Sequence, residues 1–246
     1  MLRDSQDAHS HIMYDCLKGS APFEIVERDA GYYDASDGRV YLSAYDQWPR
    51  IQKETMKHAH GRVLDMGCGA GRHSIYLQNM GLEVVGIDIS PLAVETCKLR
   101  GLRDARVMSI EEVTPQLGTF DTFLMLGNNF GLLRSRASAR RLLRRLLAVT
   151  SEKGIIIAES MDPHKTENPD HLAYHKRNER RGRMPGHVRI RMRYRKYVNP
   201  WFDCLFASND EMREVIQGSG WEICQFVEGQ GPAYVALITK AQMVRK

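Results

Sequence analysis

The sequence predicts an α/β fold with a doubly wound, mostly parallel seven-stranded sheet whose last strand is antiparallel. The first observation is a buried apolar strand over 62–66 that leads into a glycine-rich turn and a helix. The second is an apolar strand over 83–87 that ends at Asp88, and the third is an apolar strand over 120–126 that ends in a polar turn. The turn contains Gly67, Gly69 and Gly71. A strand, a tight glycine turn and a helix N-terminus form the nucleotide-binding corner of doubly wound sheets.

The other elements follow from periodicity and from start and stop signals. Ser90 and Pro91 start the helix after the second strand, because proline suits the first helical position. Ser208 or Asn209 would cap the last helix. Strand 154–159 is apolar and rich in β-branched residues, as expected when both faces are buried. The predicted helices cover 46–59, 71–80, 90–100, 136–149 and 209–218. The predicted strands cover 62–66, 83–87, 105–109, 120–126, 154–159, 221–227 and 233–239.

The motifs of the first half resemble those of the class I S-adenosylmethionine-dependent methyltransferases. They are Asp65-Met66-Gly67-Cys68-Gly69-Ala70-Gly71, Gly86-Ile87-Asp88-Ile89-Ser90, and Phe120-Asp121 before a hydrophobic strand. All three occur in the family's order over about 60–160. An NAD-type domain is the alternative, but its G-x-G-x-x-G motif has wider spacing than this turn.

The resemblance implies S-adenosylmethionine as cofactor and S-adenosylhomocysteine as product. It places Asp65 near the methionine part, Asp88 on both ribose hydroxyls and Ile89 on one face of the adenine. Ser109 stands where the family usually has an acidic residue that meets the adenine amine, and the N–H of Ile110 would substitute. The residues implied to bind the cofactor are Asp65, Gly67, Cys68, Gly69, Gly71, Asp88, Ile89, Ser109, Ile110, Leu126 and Gly127.

The chain is expected to be a single methyltransferase domain over 1–246. An N-terminal cap over 1–58 precedes a cofactor-binding core over 59–161. An insertion over 162–207 would form the substrate lid, with 187–198 and 201–207 pairing as a hairpin across Asn199-Pro200. A terminal helix and strand pair occupy 208–246.

The acceptor side is expected to use residues after the fourth and fifth strands together with lid and cap residues. No general base is assigned, since a base is needed only if the acceptor arrives protonated. The candidates for catalysis are Asn128, Asn129, Glu159 and His164. The candidates for substrate binding are Asn129, Phe130, Arg191, Arg193 and Tyr33. No metal site is predicted.

Basic residues are dense over 176–196, and Arg189, Arg191, Arg193 and Arg195 share one face of a strand. Three interpretations stay open. The arginines form a solvated surface paired with acids, or a lid that presents guanidinium groups to a carboxylate or phosphate, or a nucleic-acid track. The net charge of +5 is small for nucleic-acid binding.

The predicted function is methyl transfer to an oxygen or nitrogen of a small molecule, and the lid arginines would suit an anionic one. The alternatives are an RNA methyltransferase that uses 176–196, and a non-catalytic cofactor-binding regulatory domain. The five dispersed cysteines and the absence of a signal peptide or transmembrane run predict a cytoplasmic protein. No partner besides substrate is predicted, and the sequence does not fix an oligomeric state.

Overall fold

A computed structural model describes residues 2–241 of the 246-residue chain. This part contains seven α-helices and two β-sheets. The helices are α1 (Ala8–Leu17), α2 (Arg50–Met56), α3 (Arg72–Asn79), α4 (Pro91–Leu99), α5 (Arg136–Leu147), α6 (Pro169–Glu179) and α7 (Asn209–Ile216). The strands are β1 (Phe23–Arg28), β2 (Tyr33–Asp37), β3 (Arg62–Met66), β4 (Glu83–Asp88), β5 (Asp104–Val107), β6 (Phe120–Met125), β7 (Thr150–Met161), β8 (His187–Tyr194), β9 (Tyr197–Val198), β10 (Phe202–Leu205), β11 (Trp221–Glu228) and β12 (Ala233–Lys240).

The larger sheet has seven strands in the order β11-β12-β7-β6-β3-β4-β5. Strands β4 and β5 pair in parallel, as do β6 and β7. The last strand, β12, runs antiparallel to both of its neighbours, β7 and β11. The strand order reverses direction after β3, which is the switch point where doubly wound sheets bind ligands. The predicted fold class is confirmed.

The chain divides into two compact units. The first unit comprises residues 2–48, 64–112 and 188–203 among those described, and the second comprises 49–63, 113–187 and 204–241. Within residues 2–241, no helix is both long and apolar enough to cross a membrane.

The smaller sheet pairs the N-terminal segment with the insertion. Its strand order is β10-β8-β1-β2, with β9 on β8. In the first unit β1 lies antiparallel to both β2 and β8. The sequence analysis did not predict β1 and β2, because both strands are short and half polar and so lack a long apolar alternation.

The predicted pairing of 187–198 with 201–207 is confirmed, since β10 pairs with β8, but the predicted position of the turn at Asn199-Pro200 is wrong. The chain reverses earlier, at Arg195 and Lys196, because Tyr194 pairs with Tyr197 across a two-residue turn. Arg195 adopts a left-handed conformation with φ of 49° there, as tight hairpin turns require. Asn199 has another role, since its Oδ1 accepts a hydrogen bond from the N–H of His9.

The predicted helix over 46–59 is also shorter than expected. Residues Tyr45–Gln47 form a single 3-10 turn, and α2 begins only after Pro49. Trp48 is extended, with ψ of 150°, because a residue before proline avoids the helical region. Helix α6 lies within the insertion and was not predicted. Ser208 caps α7, as one of the two expected residues, in a reciprocal capping box with Glu211.

Candidate functional site

The glycine turn after β3 folds tightly back on the end of β4. The N–H groups of Gly67 and Cys68 both donate to the carbonyl of Ile87, at 2.9 and 3.0 Å. Gly67, Gly69 and Gly71 all have positive φ angles, of 76°, 53° and 74°. Such angles disfavour residues with a Cβ, so the sequence spacing of the three glycines follows from the path of the backbone.

Gly71 also leaves no room for a side chain. An added Cβ would lie 2.9 Å from the Sγ of Cys97 in α4, whereas at Gly218, with a matching φ of 73°, it would meet nothing within 4 Å. We expect Gly218→Ala to cost about 1–2 kcal/mol from backbone strain alone. Gly71→Ala should cost about 1–3 kcal/mol more, because crowding adds to the same strain. Urea unfolding of both variants checks this, and equal losses would show that α4 moves aside without cost.

Asp88 ends β4 and contacts the glycine turn directly. Its Oδ2 accepts a hydrogen bond from the N–H of Gly69 at 3.1 Å, and its Oδ1 accepts one from the N–H of Ser90 at 2.9 Å. Burial raises the pKa of Asp88, although these two backbone donors oppose the shift. Each carboxylate oxygen can accept a further hydrogen bond, so the pair can take two hydroxyl donors.

Asp65 lies at the opposite side of the turn, on β3, and is 3% exposed. The Ser74 hydroxyl in the first part of α3 donates to its Oδ2 at 2.6 Å. Burial raises the pKa of Asp65 to about 6, and the Ser74 hydrogen bond only partly offsets this. The carboxylate is therefore held in place at a free-energy cost, which is a common property of functional sites.

The remaining candidates of the first unit differ in exposure. Cys68 is buried, and its Sγ lies 3.8 Å from the Sγ of Cys97. A ligand at the turn would therefore meet the backbone of Cys68 and not its thiol. Ile89 is 44% exposed and presents an apolar face directly after Asp88. Ser109 caps a short 3-10 turn through its hydroxyl, which accepts from the N–H of Glu111, and Ile110 begins that turn half-buried.

In the second unit, Glu159 shapes the turn after β6. It is 6% exposed, and its Oε2 accepts hydrogen bonds from the N–H of Gly127 at 2.6 Å and from the Gln52 amide at 2.8 Å. Gly127 is exposed, with φ of 69°, and open space lies where its Cβ would be. Asn128 follows in the left-handed region, and its Oδ1 is buried without a hydrogen-bond partner in the described chain.

The other candidates of the second unit differ in their burial. Leu126 and Phe130 are buried, at 3% and 1% exposed, and Asn129 begins a 3-10 turn. The His164 side chain is 52% exposed and lies 3.4 Å from Glu211. Of the four catalytic candidates, only Glu159 is buried, and its Oε2 accepts from the Gly127 backbone and from the Gln52 side chain.

The structure brings together three of the substrate candidates, around a residue that the sequence analysis missed. Arg191 and Arg193 both bind Glu27 of β1, the former through two nitrogens at 2.6 and 3.0 Å. The Tyr33 hydroxyl donates to the same carboxylate at 3.2 Å. Hydrogen bonds from the two arginines lower the pKa of Glu27 to about 2. Trp201 stacks on the Arg191 guanidinium at 4.3 Å.

Helix α1 contacts the same corner of the first unit and was also missed. Asp7 caps α1 and accepts a hydrogen bond from the hydroxyl of Ser90, the residue that caps α4 and binds Asp88. A Cβ at Gly69 would lie 3.2 Å from the Sδ of Met13. The Asp7-Ala8-His9-Ser10 pattern is typical of a helix start, but it does not predict where the helix packs.

Comparison with known proteins adds the family. Residues 63–154 match the model of a methyltransferase domain. A solved S-adenosylmethionine-dependent methyltransferase from Bacteroides fragilis, in complex with S-adenosyl-L-homocysteine, superposes with a TM-score of 0.84 at 27% identity, covering 98% of each chain. The chain belongs to the class I S-adenosylmethionine-dependent methyltransferases. S-adenosylmethionine is accordingly the cofactor of this methyltransferase.

The curated relatives match over shorter stretches. YqeM of Bacillus subtilis (strain 168) is 24% identical over 52% of this methyltransferase and 53% of its own length. A ubiquinone biosynthesis O-methyltransferase of Xanthomonas oryzae pv. oryzae is 41% identical over 69 residues, which are 26% of this chain and 29% of that relative. The methyltransferase therefore spans about half, or less, of the curated relatives' length in these matches.

Proposed function

We propose that the chain transfers the methyl group of S-adenosylmethionine to an oxygen or nitrogen atom of a small molecule. One observation carries the proposal: Asp88 is fixed by the N–H groups of Gly69 and Ser90 and still has lone pairs for two donors. A nucleoside ribose offers two such hydroxyls. The whole-length likeness to a methyltransferase crystallised with S-adenosyl-L-homocysteine supports the same interpretation.

Each unit, taken by itself, offers further groups that suit part of this cofactor. In the first unit, Asp65 supplies a buried carboxylate suited to an ammonium group, and Ile89 supplies an exposed apolar surface suited to adenine. In the second unit, Gly127 leaves bare backbone with open space, and Asn128 Oδ1 is a buried acceptor with no donor among the residues that the structure describes. A buried polar atom without a partner in the protein is well suited to a ligand donor.

Bound S-adenosylmethionine supplies an electrophilic methyl group on a sulfonium. The protein therefore mainly has to orient the acceptor and to exclude water, because the methyl group is already activated. In the second unit, Glu159 and Gln52 fix the turn at Gly127 through buried hydrogen bonds. In the first unit, Asp88 and Asp65 hold the glycine turn and the start of α3 in place.

The cluster of Tyr33, Arg191 and Arg193 around Glu27 is proposed to meet an anionic acceptor. Two guanidinium groups against one carboxylate leave a net charge of +1, and Arg forks suit carboxylates and phosphates. Replacing Arg191 and Arg193 together with Ala should raise the KM for the acceptor about tenfold without changing cofactor affinity. Steady-state kinetics and calorimetry with S-adenosylhomocysteine check this. Unchanged kinetics would assign the cluster to the solvated surface.

Arginines elsewhere bear on the RNA alternative. In α5, Arg136 binds Glu214, while Arg140 and Arg144 donate to backbone carbonyls of Glu214 and Gly218. These side chains are held by their own unit. Arg180, Arg181, Arg183 and Arg189 are exposed. Because exposed guanidinium groups can bind phosphates, RNA is the second candidate acceptor.

The experiment that tests the proposed function is transfer of labelled methyl from S-adenosylmethionine into host-cell extract, separated by size, with and without ribonuclease. We expect label in the small-molecule fraction, unaffected by ribonuclease. Label in large material that disappears with ribonuclease would overturn the small-molecule acceptor in favour of RNA. S-adenosylhomocysteine binding without transfer to any fraction would favour the non-catalytic alternative. The five cysteines are free, as is typical of proteins in a reducing compartment. The assay is therefore run under reducing conditions.

A further inference from the structure

The first unit contains a buried carboxylate that neither the sequence analysis nor the proposed cofactor contacts use. Glu24 of β1 is 2% exposed. Three side chains surround its carboxylate: the Nδ1 of His9 and the hydroxyl of Tyr41 lie at 2.5 Å, and the hydroxyl of Ser36 lies at 3.5 Å. Burial alone would raise the pKa of Glu24, but these partners outweigh it, so the pKa is lowered. Glu24 is therefore ionised and accepts all three hydrogen bonds.

Both the backbone and the ring of His9 are held by neighbouring residues. Its N–H donates to the Oδ1 of Asn199 at 3.1 Å, and its ring packs edge-on against Tyr41 with centroids 4.6 Å apart. Because the Glu24 carboxylate can only accept, the Nδ1 of His9 carries the proton of that hydrogen bond. The ring is thus held in one orientation and, when neutral, in one tautomer.

The opposite nitrogen of His9 points away from this network. Its Nε2 has no hydrogen-bond partner among the residues that the structure describes, and the side chain is 28% exposed. An imidazole with Nδ1 held by a carboxylate and Nε2 open is the arrangement of a general base oriented by a third group. Most buried polar histidines in protein cores have both nitrogens satisfied instead.

His9 also lies beside the cofactor corner of the same unit. It is two residues from Asp7, which bonds Ser90, and Ser90 bonds Asp88. Burial lowers the pKa of His9, but Glu24 first, then Asp88 and Asp7, outweigh this, so the pKa lies above its usual value of 6.5. Glu24 and Tyr41 face the ring from the smaller sheet and its following turn, Asp88 faces it from β4, and Asp7 from α1. An imidazole whose pKa is raised by neighbouring carboxylates is a stronger proton acceptor.

We propose that His9 is the residue that accepts the proton of the methyl acceptor, and that Glu24 and Tyr41 are its positioning residues. The inference rests on the proposed function, since it assigns a general base to that methyl transfer. The acceptor is then an O–H or N–H compound that arrives protonated, and His9 Nε2 is the atom that bonds it.

The acceptor's O–H or N–H bond breaks, its proton passes to His9 Nε2, and its electron pair stays on the oxygen or nitrogen. That atom forms the new bond to the methyl carbon, while the electrons of the carbon–sulfur bond stay on sulfur and leave a thioether. His9 ends as an imidazolium whose charge the Glu24 carboxylate stabilises. Tyr41 remains protonated, because burial and Glu24 raise its pKa well above 10.

The first test compares His9→Gln with His11→Gln, a control on the same helix that binds Asp4 and stacks on Tyr197. The probe is labelled-methyl transfer from S-adenosylmethionine into the low-molecular-weight fraction of host-cell extract. His9→Gln should lower the rate about 100-fold or more, since general bases contribute at least that much. S-adenosylhomocysteine affinity by calorimetry should change less than about threefold, and His11→Gln should match the wild type. A parallel loss of affinity and rate would assign His9 to cofactor binding and overturn the proposal.

The second test uses Glu24→Gln and the pH profile, because a purely structural role would not move a titration. The wild-type rate should rise with pH as His9 loses its proton. In Glu24→Gln the rising limb should shift to lower pH, because the charge that raised the His9 pKa is gone. An unshifted limb contradicts the role of Glu24.

Nitrogen-15 NMR tests the tautomer and orientation of His9 independently of turnover. We expect the neutral ring to carry its proton on Nδ1 and its pKa to fall in Glu24→Gln. A neutral ring protonated on Nε2 would overturn the inference. If His9 has the expected tautomer but the wild type transfers no label, the proposed function fails and the orientation of His9 stands.

Discussion

Replacing Asp88 with alanine is expected to weaken S-adenosylhomocysteine binding by about 100-fold or more. Two effects combine. The variant loses a carboxylate proposed to accept two ribose hydroxyls, and hydrogen bonds to charged groups contribute about 1.5–3 kcal/mol each. It also removes the acceptor of the Gly69 and Ser90 N–H groups, so the glycine turn loses the hydrogen bonds that fix its conformation. Isothermal calorimetry with S-adenosylhomocysteine measures the change directly.

A matched control is Asp104→Ala. Asp104 is an acidic residue of the neighbouring strand β5, and its carboxylate binds Arg106 at the surface with two contacts of 2.8 Å. We expect this variant to bind S-adenosylhomocysteine as the wild type does. Asp88→Asn adds resolution, because the amide keeps one acceptor oxygen and should lose less affinity than alanine. Near-normal affinity in Asp88→Ala would mean that the ribose contact belongs to another residue.

The cofactor motifs could be predicted from the sequence because their interactions are local. The glycine turn, Ser90 as helix cap and Asp88 at a strand end are each set by neighbours in the chain, through backbone angles and capping hydrogen bonds. The seven-stranded sheet with an antiparallel last strand was also predicted, and the larger sheet confirms it. One boundary shifted at a proline, since α2 begins only after Pro49, whereas β7 begins at Thr150, four residues before its predicted start.

The proposed acceptor side could not be predicted in the same way, because its contacts join distant parts of the chain. Arginine alternation correctly placed Arg191 and Arg193 on one face, since both reach Glu27, but not Arg195, which lies in the hairpin turn after β8 and binds Asp15. Glu27 is 164 residues before Arg191 in the chain. His9 and Glu24 lie in segments without apolar periodicity. Only the pairing of β1 with β8 and the packing of α1 give these residues a common environment. No spacing rule connects such positions.

We expect the charge of Asp65 to affect protein stability and cofactor binding with opposite signs. Its pKa is about 6 in the folded protein and 3.8 for the ordinary side chain, so the folded state binds the proton more tightly. Stability from this group is therefore complete below pH about 4 and is lost as pH rises through about 6. About two pKa units correspond to about 3 kcal/mol at full ionisation. An ammonium ligand has the opposite preference, since it binds the ionised carboxylate.

Asp65→Asn should therefore stabilise the protein and lower its affinity for S-adenosylhomocysteine. Asparagine keeps an oxygen to accept the Ser74 hydroxyl but carries no charge to bury. At pH 8 we expect the free energy of unfolding to rise by up to about 3 kcal/mol, with the gain vanishing near pH 4. S-adenosylhomocysteine affinity should fall about 10- to 100-fold at pH 8, as one charge-assisted hydrogen bond is lost. Wild-type affinity should decline below pH about 6, whereas that of Asp65→Asn stays flat there.

Urea unfolding and calorimetry from pH 4.5 to 8 measure both quantities, with Asp104→Asn as the surface control. A variant that is less stable than the wild type at pH 8 would show that Asp65 is ionised without cost, and an unchanged affinity would remove it from the cofactor site.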